Sequence, residues 1–370
     1  MSASETGGGD PVQVLDPDGQ VRDGATVPDL ADEELLRMYR ELYFARRFDR
    51  RAVNLNRRGE MGSFPPLYGH EAAQIASAMA LSPDDWIVPS YRDHGALITH
   101  GFPAAGILRY YMGQEAGNVP PPDSNIFPIN GSVASQIPHA TGLAWASKLR
   151  QGSPPGVLCY FGDGATSEGD FHEGLNFAGV FDTPTVFFCQ NNQWAISMPR
   201  ERQTAAATLA QKARAYGFDG LQVDGMDPLA VYKVTRAALE QAKNPADDQC
   251  RPSLIEAVLY RFGAHSTADD PQQYRDGVPK EWQRKDPVPR FEAFLRGTGR
   301  LDEESLSTIQ DEVEGRLEDV IETALTADRP DPLTMFEAPF EQPPEQVRRQ
   351  AERHREFIDK YGVETFSGGD

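Results

Sequence analysis

Two short apolar runs stand out along the chain, Val157-Leu158-Cys159-Tyr160-Phe161 and Thr185-Val186-Phe187-Phe188-Cys189. Neither alternates polar with apolar positions, and turn-forming residues bound both. That pattern predicts strands buried on both faces, as in a parallel sheet. Between them Phe171, Leu175 and Ala178 recur at helical spacing, which predicts a helix over 165–180 capped by Thr166 or Ser167. Outward from this centre, a long amphipathic helix is predicted over 29–58, begun by Asp29 and ended by Gly59, and a second over 70–81, stopped by Ser82-Pro83. A strand over 86–88 leads into a polar loop, and a Pro-rich loop spans 117–131. Further helices are predicted over 103–112, 135–149, 229–242 and near 208–216, with strands near 221–223 and over 254–260.

This alternation implies an α/β fold, a parallel sheet with helices on both faces. Residues 1–28, rich in Gly, Pro and Asp, read as a flexible arm. One α/β domain is expected over 29–285 and a helical extension over 286–370. Within the extension, 343–361 is either a partner-facing helix or a solvated charged one. The polar loop over 262–285 is long enough to carry function and is expected to order when a ligand binds.

The net charge of −20 argues against nucleic-acid binding. No apolar run approaches the roughly 20 residues of a membrane helix. The N-terminus shows neither a signal-peptide core nor an Arg-rich transit pattern, so a cytoplasmic protein is expected. Two of the three cysteines, Cys159 and Cys189, lie in predicted strands and read as core thiols. Only 7 of the 36 basic residues are lysine, which suggests a host with concentrated cytoplasmic salt.

The chemistry gathers where the apolar runs end. Gly162-Asp163-Gly164 closes the first and Asn191-Asn192 the second. Glycines on a strand-to-helix turn let backbone N–H groups approach an anion. A carboxylate at the same spot requires a cation between it and that anion. Mg²⁺ suits the place, because it takes oxygen ligands and shares them with phosphates. Asn192 offers an amide oxygen and Trp194 a backbone carbonyl.

This pair of motifs resembles the thiamine diphosphate motif of transketolases, decarboxylases and 2-oxo acid dehydrogenases. The likeness extends through Gly69-His70-Glu71-Ala72-Ala73-Gln74, Pro89-Ser90-Tyr91-Arg92-Asp93-His94-Gly95, Ser135-Gln136-Ile137-Pro138 and the stretch from Arg261 to Asp270. Over roughly 29–345 the chain resembles the α subunit of the thiamine-dependent dehydrogenase of 2-oxo acid dehydrogenase complexes. Ser167-Glu168-Gly169-Asp170 and His265-Ser266-Thr267 lean towards the branched-chain type.

The resemblance implies a thiamine diphosphate-binding fold and roles for individual positions. Tyr91 and Arg92 match diphosphate ligands, as do the backbone positions Gly162 and Gly164. Asp163, Asn192 and the Trp194 carbonyl match Mg²⁺ ligands. Glu168 matches a carboxylate near the diphosphate, and also suits a simple partner of a helix N-terminus. Val133 matches the residue that props thiamine in its bent form, and equally suits an ordinary core position. His265 matches the active-site histidine, able to bond a carboxylate or move a proton. Ser266 falls beside it and is expected on the substrate side, at a position phosphorylated in some eukaryotic relatives; phosphorylation is not expected here. Gln190 stands where branched-chain relatives can carry arginine. Phe64 occupies a region where pyruvate-type relatives place a histidine, and is expected to line an apolar substrate pocket.

Thiamine catalysis also needs a carboxylate on the aminopyrimidine ring. The chain shows one α/β pattern and no second domain to carry it. The resemblance therefore implies a separate β subunit in an α₂β₂ assembly, acting on a 2-oxo acid and passing the acyl group to lipoamide on an acyltransferase. Branched-chain substrates are favoured slightly over pyruvate. An acetoin dehydrogenase α subunit and a non-catalytic thiamine diphosphate-binding assembly subunit are the alternatives.

Overall fold

The computed structural model describes residues 10–150, 154–246, 249–328, 331–337 and 340–363. Five parallel strands form the central sheet: β1 (Trp86–Val88), β2 (Val157–Gly162), β3 (Thr185–Asn191), β6 (Asp219–Asp224) and β7 (Ser253–Val258). Their spatial order is β1-β2-β3-β7-β6. A two-stranded hairpin, β4 (Trp194–Ala195) and β5 (Met198–Pro199), follows β3.

The continuous apolar character of β2 and β3 has a direct cause. Successive side chains point to opposite faces, and both faces are covered. Val157, Cys159, Phe161, Phe187 and Cys189 pack with Ile137, Ala140, Phe171 and Leu175, from α5 (Gln136–Arg150) and α6 (Gly169–Phe181). Leu158, Tyr160, Val186 and Phe188 join the other layer, built on α1 (Asp32–Arg57), α2 (Glu71–Met79) and α7 (Pro228–Lys243). Each such fully buried side chain stabilises the fold by roughly 1.5–3 kcal/mol.

Several boundaries differ from the sequence expectation. The first helix begins at Asp32, where the Glu34 carboxylate accepts from the Ala31 N–H (2.9 Å), and not at Asp29. Residues 94–99 form a short helix, α3 (His94–Thr99), where the sequence reads as loop; α4 (Ala104–Tyr111) follows. Neither Thr166 nor Ser167 caps a helix. Asp163–Ser167 is a 3₁₀ turn, and α6 starts after Glu168, which has no capping side-chain bond. The segment near 208–216 is likewise 3₁₀, over Ala210–Tyr216.

The expected arm is anchored at Val12 to Leu15; residues 1–9 lie outside the described residues. Val14 and Leu15 are buried, and their N–H groups both donate to one Asp227 oxygen at 2.7 Å. The other Asp227 oxygen caps α7. The long loop carries a four-residue helix, α8 (Lys280–Gln283). Beyond it, α9 (Pro287–Gly297) and α10 (Glu303–Leu325) bury Phe291, Phe294, Ile309 and Leu317 in the same core as α1. Residues up to Ala324 make one compact unit, and a second runs from Leu325. The second unit carries α11 (Thr334–Glu337) and α12 (Glu345–Tyr361), and α12 buries none of its residues.

Candidate active site

The strands β1, β2, β3 and β7 all point their C-terminal ends the same way, where open α/β sheets gather ligands. A cavity of about 380 Å³ lies there, within the ~300–1,000 Å³ usual for small-molecule sites. Tyr91, Arg92, Val133, Gly162, Asp163, Gly164, Glu168, Asn192, Trp194 and His265 all line it. Residues more than 170 positions apart are thus brought to one place by the sheet.

Parallel pairing of β2 with β3, in the register Gly162 opposite Gln190, sets the turn bearing Asp163 beside the turn bearing Asn192. An added Cβ on Gly162 would meet nothing within 4 Å, so the backbone there faces open space. Gly164 is required for another reason: a Cβ would come within 2.8 Å of Ala195 on the hairpin. Asp163 is buried, and desolvation raises its pKa against the opposing bond from Gln203. The Gln203 amide donates to Asp163 Oδ2 at 2.6 Å, while its own Oε1 is buried without a partner. A buried carboxylate and an asparagine amide lining one cavity with Trp194 offer a hard-oxygen set that fits a divalent cation. The Trp194 carbonyl accepts from Arg261 at 3.4 Å.

Opposite stands a wall built from loops. Arg92 donates to the Pro66 carbonyl (2.6 Å) and to the His265 carbonyl (3.0 Å). Its Nη2 also lies 3.2 Å from His265 Nδ1. Since arginine only donates, Nδ1 accepts, and the neutral ring carries its proton on Nε2. Burial, then the nearby Arg92 and Arg261 guanidiniums, push the His265 pKa down to about 4. The Asp269 carboxylate accepts from the His265 N–H (2.7 Å) and the Tyr274 hydroxyl (2.6 Å). Arg275 donates to the Arg261 and Gly263 carbonyls, closing the loop on itself.

Two expected substrate-side residues do not reach the cavity wall. Phe64 is fully buried, stacked on His94 (4.9 Å between centroids) and edge-on to Tyr111. Its backbone exchanges bonds with Thr267: Thr267 N–H donates to the Phe64 carbonyl (2.8 Å), and Phe64 N–H to Thr267 Oγ1 (3.0 Å). Phe64 thus clamps the histidine loop and does not line this cavity. The Ser266 hydroxyl accepts from the Ala268 N–H within its own turn. Val133, by contrast, is 48% exposed at the rim and not a core valine. It precedes Ala134, whose φ of +69° is a left-handed conformation rare for a residue with a side chain. Gln190 lines the cavity, but its amide donates to Asp93, which also accepts from Ser90 N–H and so holds the loop bearing Arg92.

The motifs also contained site residues that sequence reasoning left without a role. His70 lines the cavity and is fully buried, with desolvation holding its pKa well below the usual histidine range. Arg261 is buried beside the hairpin and bonds the carbonyls of Trp194 and Ile196. Both stand inside the motifs that carry the resemblance, and their residue types are the signal. Gln203 had no such signal.

The family model for the dehydrogenase E1 component matches residues 39–333. The pyruvate dehydrogenase E1 component subunit alpha of Bacillus cereus is 40% identical over 347 residues, covering 93% of this chain and 92% of that protein. The proteins of the same name from Staphylococcus aureus (strain Mu50) and Bacillus subtilis (strain 168) are each 39% identical, over 93% and 92% of this chain and 92% and 91% of their own lengths.

Proposed function

The chain belongs to the dehydrogenase E1 component family, and on that premise we propose that it works as the α subunit of a 2-oxo acid dehydrogenase, holding thiamine diphosphate through Mg²⁺. The observation that carries this reading is the single cavity joining Tyr91, Arg92, Asp163, Asn192 and His265 at the strand ends. Asp163, Asn192 and the Trp194 carbonyl would hold the metal. Arg92, Tyr91 and the backbone at Gly162 and Gly164 would hold the diphosphate, with Glu168 at the rim. Bound thiamine diphosphate supplies a thiazolium that takes up the electrons released when carbon dioxide leaves the 2-oxo acid. The chain's own part is to orient the cofactor between the strand ends and the Arg92 loop. His265, neutral, presents a proton on Nε2 that can be shared with substrate oxygen.

A separate β subunit is part of the proposal. Among the described residues lining the cavity, only Asp163 and Glu168 are acids. Both lie at the turn assigned to the diphosphate end, which supports a carboxylate for the aminopyrimidine supplied by another chain. Exposed Val133, Ile196 and Met198 near the mouth suit burial against that partner. The acyl group would pass to a lipoyl acyltransferase, in the cytoplasm. Among the described residues no helix is long and apolar enough to cross a membrane.

The relatives' names make pyruvate the first substrate to test. The lean towards branched-chain acids drew partly on Phe64, which packs in the core. Co-expression with a β subunit, followed by 2-oxo acid-dependent dye reduction with thiamine diphosphate and Mg²⁺, tests the reading across pyruvate, 2-oxoisovalerate and acetoin. Activity with both chains and none with either alone is expected. An α chain active by itself overturns the split site. Cofactor binding without turnover of any substrate favours a non-catalytic assembly subunit.

A further inference from the structure

His70 is held more firmly than an ordinary buried histidine. The preceding Gly69 has a φ of +96°, and a Cβ there would come within 2.2 Å of the Tyr260 carbonyl oxygen, so only glycine fits. The following Glu71 is buried in an ion pair with Arg46, and accepts from the Gly69 N–H at 2.9 Å. The backbone on both sides of the imidazole is therefore fixed.

The two ring nitrogens have different partners. Nδ1 lies 3.0 Å from the Leu67 carbonyl oxygen. A carbonyl only accepts, so Nδ1 carries the proton. Nε2 then offers a lone pair, and it lies 3.0 Å from Nδ2 of Asn192. The Asn192 amide must donate there, which turns its oxygen to the opposite side. That oxygen accepts from the Trp194 N–H at 3.1 Å and keeps its second lone pair. An asparagine side chain has nearly the same shape either way round. Two neighbours decide which end is offered to a ligand: the Trp194 N–H requires the oxygen on its side, and His70 requires the nitrogen on the other.

We propose that His70 is a positioning residue for the metal subsite, fixing the Asn192 amide so that its oxygen, and not its nitrogen, is presented beside Asp163. This rests on the metal-binding reading above. Without the acceptor, an Asn192 N–H is left buried and unpaired, and the Trp194 N–H alone is left to hold the amide.

The test uses the assembled α and β chains. Tryptophan fluorescence, with Trp194 in the cavity wall, is followed as Mg²⁺ is titrated at fixed thiamine diphosphate; Mn²⁺ binding by electron paramagnetic resonance gives a second, activity-free measure. In His70→Leu the half-saturating metal concentration should rise about 10–100-fold, the usual loss for an outer-shell partner of a metal ligand. At saturating Mg²⁺ its kcat and its KM for the 2-oxo acid should return close to those of the parent. His70→Gln, which restores an acceptor oxygen, should bind metal close to the parent. If the Leu variant does not assemble, His70→Met removes the acceptor with a more adaptable side chain. Unchanged metal affinity in the Leu or Met variant overturns the inference, as does a loss that Gln shares or that excess Mg²⁺ cannot restore. A parent complex that binds thiamine diphosphate without any metal dependence would instead remove the metal subsite itself, and the inference with it.

Discussion

The two walls of the cavity are built differently. Gly162, Asp163 and Asn192 sit at the ends of paired strands, so backbone register places them. Arg92 and His265 sit on loops, placed by side chains that bond loop backbone: Arg92 to Pro66, Asp269 to His265, Arg275 to Gly263. A wall set by strand register should lose one side chain without moving its neighbours. A wall of mutually dependent bonds should loosen as a group. The sheet wall therefore separates binding from stability, and the loop wall couples them.

Asp163→Asn should separate them most widely. Mg²⁺-dependent cofactor binding and turnover should fall by more than the ~10–100-fold typical of an outer-shell loss. The Tm of the ligand-free protein should hold or rise, because a desolvated carboxyl is removed. Calorimetry with and without cofactor checks both; a fall in Tm with binding retained breaks the comparison. Phe64→Ala attacks the clamp behind the loop wall and should cost about 3–5 kcal/mol in denaturant unfolding. The ratio of kcat/KM between pyruvate and 2-oxoisovalerate should stay as in the parent, and a changed ratio would return Phe64 to the substrate pocket.

Asp269→Asn weakens only the bonds to His265 and Tyr274, worth about 1–2 kcal/mol. Cleavage within 262–285 should quicken roughly tenfold, and thiamine diphosphate with Mg²⁺ should slow it again; equal cleavage with and without cofactor would defeat the expected ordering of this loop. The smallest effect is a pH dependence. His265 has a folded pKa of about 4 against roughly 6.5 unfolded. The unfolded chain binds the proton more readily, so this histidine's contribution to stability is complete above about 6.5 and is lost as pH falls towards 4. Bound diphosphate offsets Arg92 and should raise the pKa. Stability against pH in the parent and in His265→Gln, with and without cofactor, measures both signs; matching profiles would show that the loop wall does not depress this group.

The difference between the walls also explains what could be read in advance. Val157 to Phe161 and Thr185 to Cys189 are legible because burial on both faces demands apolar residues at every position. The turns that follow carry Gly162, Asp163 and Asn192, whose types state their chemistry. Phe64 misled because an aromatic residue near a motif suits a pocket and a core equally; only its stacking on His94 decides. The arm misled because its anchor, Asp227, lies more than two hundred residues away. Gln203 reaches Asp163 across 40 positions by one amide bond, and neither periodicity nor motif encodes that. The 3₁₀ turn over Asp163–Ser167 is a local choice between two tight geometries that share the same residue preferences.

The exchange of bonds between Phe64 and Thr267 has a consequence for chain connectivity. Phe262 N–H also donates to the Tyr68 carbonyl, and Arg92 grips the His265 carbonyl. The stretch over 262–267 is thus fastened from segments that precede it, at points independent of the chain beyond residue 270. Exposed Gly277 lies past all of them. A protein severed there would behave as two complementing fragments, and the imidazole would remain docked on the first.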